Sequence, residues 1–254
     1  MSWDPTQYLA FAGPRLRPAV DLLARVALDA PGTIVDLGCG PGNATALLRA
    51  RWPDASLTGV DNSAEMLAAA PENCPGATWL EQDIADWTPE ARPDLIYSNG
   101  ALHWIDGHDA LLPRLVDSLA PGGTLAVQMP DNWRAPSHKL MEQTVEVGPW
   151  APRLAPMVRA EPVLAPAAYY DILGPHVAAL DIWETEYLHV LEGDDPVVAF
   201  TKGAALKPFL DALAPDEAAA FETDYTARIA RAYPPRADGR TLFPFRRLFI
   251  VARV

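Results

Sequence analysis

The sequence predicts an α/β fold: a parallel sheet with helices on both faces. Two observations carry this. Short apolar runs alternate with helical patterns from residue 18 to residue 128, at a spacing that suits strand–helix–strand crossovers. The first apolar run also leads straight into Val35-Asp36-Leu37-Gly38-Cys39-Gly40-Pro41-Gly42-Asn43, a glycine turn of the kind that follows a strand in such sheets.

The elements come in order along the chain. Pro18 opens a helical pattern with Val20, Leu23, Val26 and Ala27 on one face, and Pro31-Gly32 ends it. Thr33 to Leu37 is the first strand. Asn43 to Arg51 reads as a helix closed by Trp52-Pro53, and Ser56 to Asp61 as the second strand. Ala64 to Ala70 is a helix stopped by Pro71. Ala77 to Glu81 and Leu95 to Ser98 are the third and fourth strands. His108 to Leu119 is a helix, Pro121-Gly122-Gly123 a turn, and Thr124 to Gln128 the fifth strand. Residues 131–176 are rich in proline and read as helices and loops over the sheet edge. Asp181 to Leu191 alternates as a strand, 195–233 is helical, and Leu242 to Val254 is a closing strand.

Composition narrows the function. The 254 residues suit one large domain, and half of them are apolar, enough for a full core. A formal net charge of −13 disfavours nucleic acid or an anionic membrane surface as the partner. A small anionic substrate would need a local cationic pocket. Cys39 and Cys74 are the only cysteines and make no zinc motif, so no metal is expected and a reducing cytoplasm is the natural compartment. MSWDPTQYLAF lacks a basic stretch and a long apolar run, so no signal peptide is expected, and no run is long enough to span a membrane.

The glycine turn can hold a ligand close to the backbone. Its spacing is G-x-G-x-G at Gly38, Gly40 and Gly42. The dinucleotide fingerprint needs G-x-G-x-x-G, and Asn43 stands in its last place; the lysine of a phosphate loop is missing too. Asp61 closes the second strand, where a carboxylate can accept both hydroxyls of a ribose. Asp83 and Ile84 follow the third, where they can meet an exocyclic amine and an aromatic face. Acids on three strand ends suit a ligand with a ribose, an amine, a cationic centre and no phosphates.

S-adenosylmethionine fits that description. The segments VDLGCGPGN, TGVDNSAEML, EQDI and SNGALHW resemble, in order and spacing, the motifs of class I S-adenosylmethionine-dependent methyltransferases. The resemblance covers residues 30–130. It implies a Rossmann-like, seven-stranded sheet of order 3-2-1-4-5-7-6 with the seventh strand antiparallel. It also implies a single domain. Residues 1–30 would form a lid and first helix, 30–130 a cofactor-binding core, and 131–176 and 193–238 helical caps. Asp36, Gly38 and Gly40 would lie along the methionine and sulfonium. Asp61, with Asn62 beside it, would take the ribose. Met66 and Ile84 would sandwich the adenine, Asp83 would bind its amine, and Asn99 would sit near the methionine moiety.

Outside those motifs, WDPTQYLAF, RLRPAVDLLARV, LAVQMPDNW, AAYYDIL, DIWETEYLH and FRRLFIVAR make the chain similar over nearly its full length to family members that esterify a small tricarboxylate. A carboxylate with a reference pKa near ~4 needs no general base at neutral pH, and the sequence offers no Ser-His-Asp or Cys-His set. Three carboxylates do need donors, and arginine is the efficient one. The candidates are Arg15 and Arg17 in the lid with Tyr8, His103 and Trp104 after the fourth strand, Trp133, Tyr169 and Tyr170 in the cap, and Arg246. Of the two tyrosines, one is expected in the core and one facing the cavity. Arg246 and Arg247 point to opposite faces of a strand, so at most one reaches the site. The expectation is a cytoplasmic monomer that meets neither nucleic acid nor membrane. Alternatives are a carboxyl methyltransferase for another small acid or a malonyl carrier protein, and a cofactor sensor without transfer.

Overall fold

A computed structural model describes residues 16–203 and 205–254. The expected lid residues Tyr8 and Arg15 lie outside them. Seven strands form one sheet: β1 (Thr33–Leu37), β2 (Ser56–Asp61), β3 (Thr78–Glu81), β4 (Leu95–Asn99), β5 (Thr124–Pro130), β6 (Ala179–Leu191) and β7 (Thr241–Arg253). Their order is β3-β2-β1-β4-β5-β7-β6. β3, β2, β1, β4 and β5 pair in parallel, and β7 pairs antiparallel to β5. This is the predicted topology. β1 is buried along almost all its length, and β4 and β5 are nearly as apolar, as strands covered on both faces must be.

The chain divides into two compact units. The first runs through Pro130 and adds 162–185 and 247–254; the second holds 131–161 and 186–246. The expected core thus falls in the first unit, while the expected cap at 131–176 is shared out: its last part packs with the core. In the first unit, α1 (Arg17–Ala24) starts on a proline that needs no hydrogen-bond partner and buries Ala19, Val20, Leu22 and Leu23. Tyr97, deep in β4, donates its hydroxyl to the Ala19 carbonyl at 2.6 Å. The crossovers are α2 (Asn43–Arg51), α3 (Ala64–Asn73) and α4 (His108–Asp117).

Pro71 does not stop α3 as expected. The helix continues to Asn73, and Cys74 N–H still reaches the Ala70 carbonyl at 3.0 Å. A proline removes only its own N–H from the ladder, and so close to the helix end the lost bond is tolerated. Pro113 lies in the middle of α4.

The second unit has its own core. Its helices include α5 (Pro136–Val147), α6 (Ala151–Leu154) and, after α7 (Pro166–Leu173) of the first unit, α8 (Pro196–Lys202), α9 (Lys207–Asp211) and α10 (Pro215–Ala232). Trp150 meets Phe221 edge-on at 5.1 Å and donates its indole N–H to the Thr144 carbonyl at 2.7 Å. Tyr225 donates to the Ser137 carbonyl at 3.0 Å, so α10 is tied to α5 by a buried polar bond as well as by packing. The acid-rich stretch of α10 is a solvated face: Glu217 pairs with Arg153 and Glu222 with Lys202. Among the described residues no helix is long and apolar enough to cross a membrane. Phe221 is fully buried, so Phe221→Ala should cost about 3–5 kcal/mol in a urea titration, from lost burial and the cavity left behind.

Candidate active site

A hollow of about 570 Å³ opens at the C-terminal ends of β1, β2 and β4, and residues just beyond β3 complete it. The glycine turn forms one wall. Gly38 and Cys39 N–H groups both bond the Val60 carbonyl, at 2.8 and 3.1 Å, so the turn leaves β1 while still hooked to β2. Gly38 has φ +74°, and a Cβ there would stand 2.1 Å from Ala101 Cβ. Gly40 has φ +53° and nothing within 4 Å of its missing Cβ. Its glycine therefore answers a backbone requirement and leaves bare main chain facing the hollow.

Asp61 organises this wall. One carboxylate oxygen accepts from Gly40 N–H at 2.8 Å, and the other accepts from Ser63 N–H at 2.9 Å. A carboxylate offers about four acceptor sites, so both oxygens keep capacity for ligand hydroxyls. Ser63, not Asp61, caps α3, accepting from Met66 N–H at 3.3 Å. Asp83 accepts from Ala85 N–H through Oδ1 at 2.8 Å, which leaves Oδ2 for a partner. Ile84 is buried and Met66 is 47% exposed; both line the hollow.

Seven of the residues expected to hold the cofactor line this hollow: Gly38, Gly40, Asp61, Asn62, Met66, Asp83 and Ile84. Asp36 and Asn99 do not line it. Each has one buried oxygen, Oδ1, that accepts no hydrogen bond among the described residues, and they sit on the neighbouring strands β1 and β4. Asp36 Oδ2 accepts from Thr45 Oγ1 at 2.7 Å. Burial pushes the Asp36 carboxyl up to about 7; Thr45 opposes the shift, and the Asp61 charge adds to it. The same burial, with Asp36 and Asp61 nearby, pushes the Cys39 thiol up, so it is a packing group and not a nucleophile.

The far wall is Gly100, Ala101, Trp104 and Ile105. Trp104 is 54% exposed and belongs to the hollow as expected. His103, its neighbour in the short 3₁₀ turn Leu102–Trp104, is buried and is not a lining residue; its ring packs on Trp104 with centroids 4.8 Å apart. A 3₁₀ turn sends adjacent side chains in different directions, so the His-Trp pair could not both face the hollow.

Tyr169 corrects a second expectation. It is fully buried, with its hydroxyl 2.7 Å from His108 Nδ1 and accepting from Leu164 N–H at 3.1 Å. His108 Nε2 lies 2.9 Å from the Leu102 carbonyl, which can only accept. The proton is therefore assigned to Nε2, and Nδ1 accepts from Tyr169. Tyr169 thus braces, through His108, the turn that carries Trp104, and it is the tyrosine of the pair that lies in the core. Tyr170, one residue on, is 63% exposed.

Of the cationic candidates, Arg17 and Arg246 lie elsewhere, and Arg15 is outside the described residues. Among the described residues that line the hollow, Asp61 and Asp83 are the acids and none is basic. Arg17 is exposed near Asp21 at 3.9 Å. Arg246 is exposed in the second unit, where it lines a separate hollow of about 320 Å³ with Asn132, Arg134 and Tyr233. Its backbone N–H donates to Asn132 Oδ1 at 3.0 Å. Trp133 is half-buried there, 5.7 Å from the His138 ring. Arg247, on the other strand face, reaches Gln128 at 3.4 Å. Sequence reasoning passed over Pro41, Ser63, Gly100, Ala101 and Ile105. Small and apolar wall residues leave no chemical signal.

The hollow fits a particular ligand chemistry. Acids at two strand ends, an apolar sandwich and bare backbone at Gly40 suit a ribose, an amine and a cation, and no basic residue among the described lining residues offers a phosphate a partner. Sheet order and site together define a class I S-adenosylmethionine-dependent methyltransferase. Residues 34–123 match a family model described as a methyltransferase domain. The chain is 51% identical over 99% of its length, and 98% of the relative's, to a trans-aconitate 2-methyltransferase from Azoarcus sp.. It is 50% identical, at the same coverage, to one from Methylobacterium radiotolerans. A solved S-adenosylmethionine-dependent methyltransferase from Mesorhizobium loti shares the fold, with 23% identity, TM-score 0.53, and coverage of 95% of this chain and 99% of that one. The chain belongs to the trans-aconitate 2-methyltransferase family.

Asp36 gives this site a pH signature. Its carboxyl binds a proton more tightly folded, at about 7, than at the ordinary 3.8. That contribution to stability is full below about pH 4 and is lost as pH rises through 7. Relative to Asp36→Asn, the wild-type protein should lose stability across this window, by up to a few kcal/mol. Urea titrations of both proteins at pH 4.5, 6 and 8 measure it; parallel curves would remove Asp36 as the cause.

Proposed function

We propose that this enzyme methylates one carboxylate of trans-aconitate, giving a monomethyl ester. The acceptor is carried over from the named relatives, and the observation that supports the reaction type is the hollow whose charged lining residues are acids. When bound, the cofactor would supply a methyl carbon on a sulfonium: a carboxylate oxygen would bond to that carbon as the S–CH₃ bond breaks, its electron pair passing to sulfur to leave a neutral thioether, with no proton moved.

Asp61 holds the ribose hydroxyls with its remaining acceptor sites. Met66 and Ile84 pack on the adenine, and Asp83 Oδ2 accepts from its amine. Gly38 and Gly40 let the methionine portion lie against backbone, with Asp36 and Asn99 behind them. Trp104 walls the acceptor side and keeps water from the transferring group. Because the acceptor is already ionised at neutral pH, no residue needs to serve as general base. Orientation in a closed site of this kind can supply roughly 7–11 kcal/mol. The substrate's other carboxylates need cations, and Arg15 and Arg17 of the first unit are the residues proposed for that role. The net charge of −13 and two free thiols support a cytoplasmic enzyme for a small molecule.

Incubation with methyl-labelled cofactor and a panel of trans-aconitate, cis-aconitate, isocitrate and a malonyl thioester tests the acceptor. Label is expected in an ester of trans-aconitate; label confined to the thioester would overturn the reading. Asp61→Ala should weaken cofactor binding by roughly 10- to 100-fold, the loss of a bond to a charged group. Calorimetry with S-adenosylhomocysteine reads this, and an unchanged affinity would remove Asp61 from the site.

A further inference from the structure

The segment that carries Asp83 and Ile84 belongs to no strand or helix. Its backbone is held from outside by one side chain. Arg114, half-buried on α4, donates to the Ile84 carbonyl at 3.1 Å, to the Ala85 carbonyl at 2.8 Å, and to the Trp87 carbonyl. Among the described residues the segment's other ties include Asp86 N–H to the Asp83 carbonyl, Trp87 N–H to the Ile84 carbonyl and Gln82 Nε2 to the Asp86 carbonyl, at 3.2, 3.3 and 3.4 Å. Gln82 N–H joins the segment to β2 through the Asp61 carbonyl at 3.0 Å.

Two bonds in series connect Arg114 to the acid. The guanidinium holds the Ala85 carbonyl, and Ala85 N–H holds Asp83 Oδ1 at 2.8 Å. Oδ1 is thereby fixed, and Oδ2 is the oxygen left to meet a ligand. We infer that Arg114 is the positioning residue for base recognition: by pinning three carbonyls of this segment, it presents Asp83 Oδ2 to an exocyclic amine and sets the preference for adenine over a 6-oxo purine. This rests on the assignment of Asp83 proposed above. The guanidinium suits the task because its donors form a rigid planar fork with a permanent charge. A lysine ammonium has three donors but no plane, so it cannot hold three carbonyls in the same arrangement.

The chemistry gives the readout. A 6-amino group donates to the carboxylate, whereas a 6-oxo group would set acceptor against acceptor. A segment free to drift relaxes that clash and weakens the good bond, so the two affinities converge. Calorimetry with S-adenosylhomocysteine and its hypoxanthine counterpart, S-inosylhomocysteine, measures the ratio in wild type, Arg114→Lys and Arg114→Met. The wild-type ratio is expected to favour adenine, and Arg114→Met to reduce it about tenfold, the size of one charge-assisted bond. Arg114→Lys should fall between, and it carries the test if Arg114→Met does not fold. In an Asp83→Ala background, Arg114→Lys should leave the ratio unchanged. Equal losses of both affinities, with the ratio intact, would overturn the inference and leave Arg114 a plain structural residue. A wild-type protein that binds neither compound would instead overturn the cofactor assignment.

Discussion

The Asp61 carboxylate joins two turns that the chain makes separately. The glycine turn leaves β1 and the cap of α3 leaves β2, and each offers one backbone N–H to a different oxygen of the same acid. Parallel pairing in register, Leu37 against Val60, brings the two strand ends level and makes this possible. A carboxylate also has more acceptor sites than two backbone donors use. One side chain can therefore set the shape of the hollow and still present charge to what enters it. Positive φ at Gly38 and Gly40 allows the turn to double back toward β2 without a side chain in the way.

The opposite walls depend on α4. His108, at its start, holds the Leu102 carbonyl and so the turn bearing Trp104, and Tyr169 from α7 fixes the imidazole. Arg114, further along, holds the segment after β3. Both loops have only short local hydrogen bonds of their own, and α4 side chains secure both through main-chain carbonyls. Such capture fixes position through the main chain, so the side chains of Trp104, Asp83 and Ile84 are not the groups captured.

The sheet and seven of the residues that line the hollow were legible in the sequence because their signals are local. Apolar strands, a glycine turn and an acid at the next strand tip all lie within short windows, and periodicity places them. The rest was not legible, for reasons of geometry. Tyr169 and Tyr170 are adjacent and chemically alike; only the packing of α7 against α4 decides that the first is buried. His103 looked like an acceptor-side group, yet a 3₁₀ turn aims it inward beside Trp104. Arg114 reads as the polar face of a helix, because its partners are carbonyls some 30 positions away that carry no residue signature. Pro71 was a misleading stop because it falls in the last turn of α3, where one missing bond matters little.

The central claim is that acids at strand tips, with no basic residue among the described lining residues, select a nucleoside whose 5′ group carries no phosphate over a phosphorylated one. Competitive calorimetry of S-adenosylhomocysteine against adenosine diphosphate tests it directly, because the two share adenine and ribose and differ in the group attached at the 5′ carbon. The homocysteine compound should bind and the diphosphate should neither bind nor displace it. Comparable affinity for the diphosphate would contradict the account.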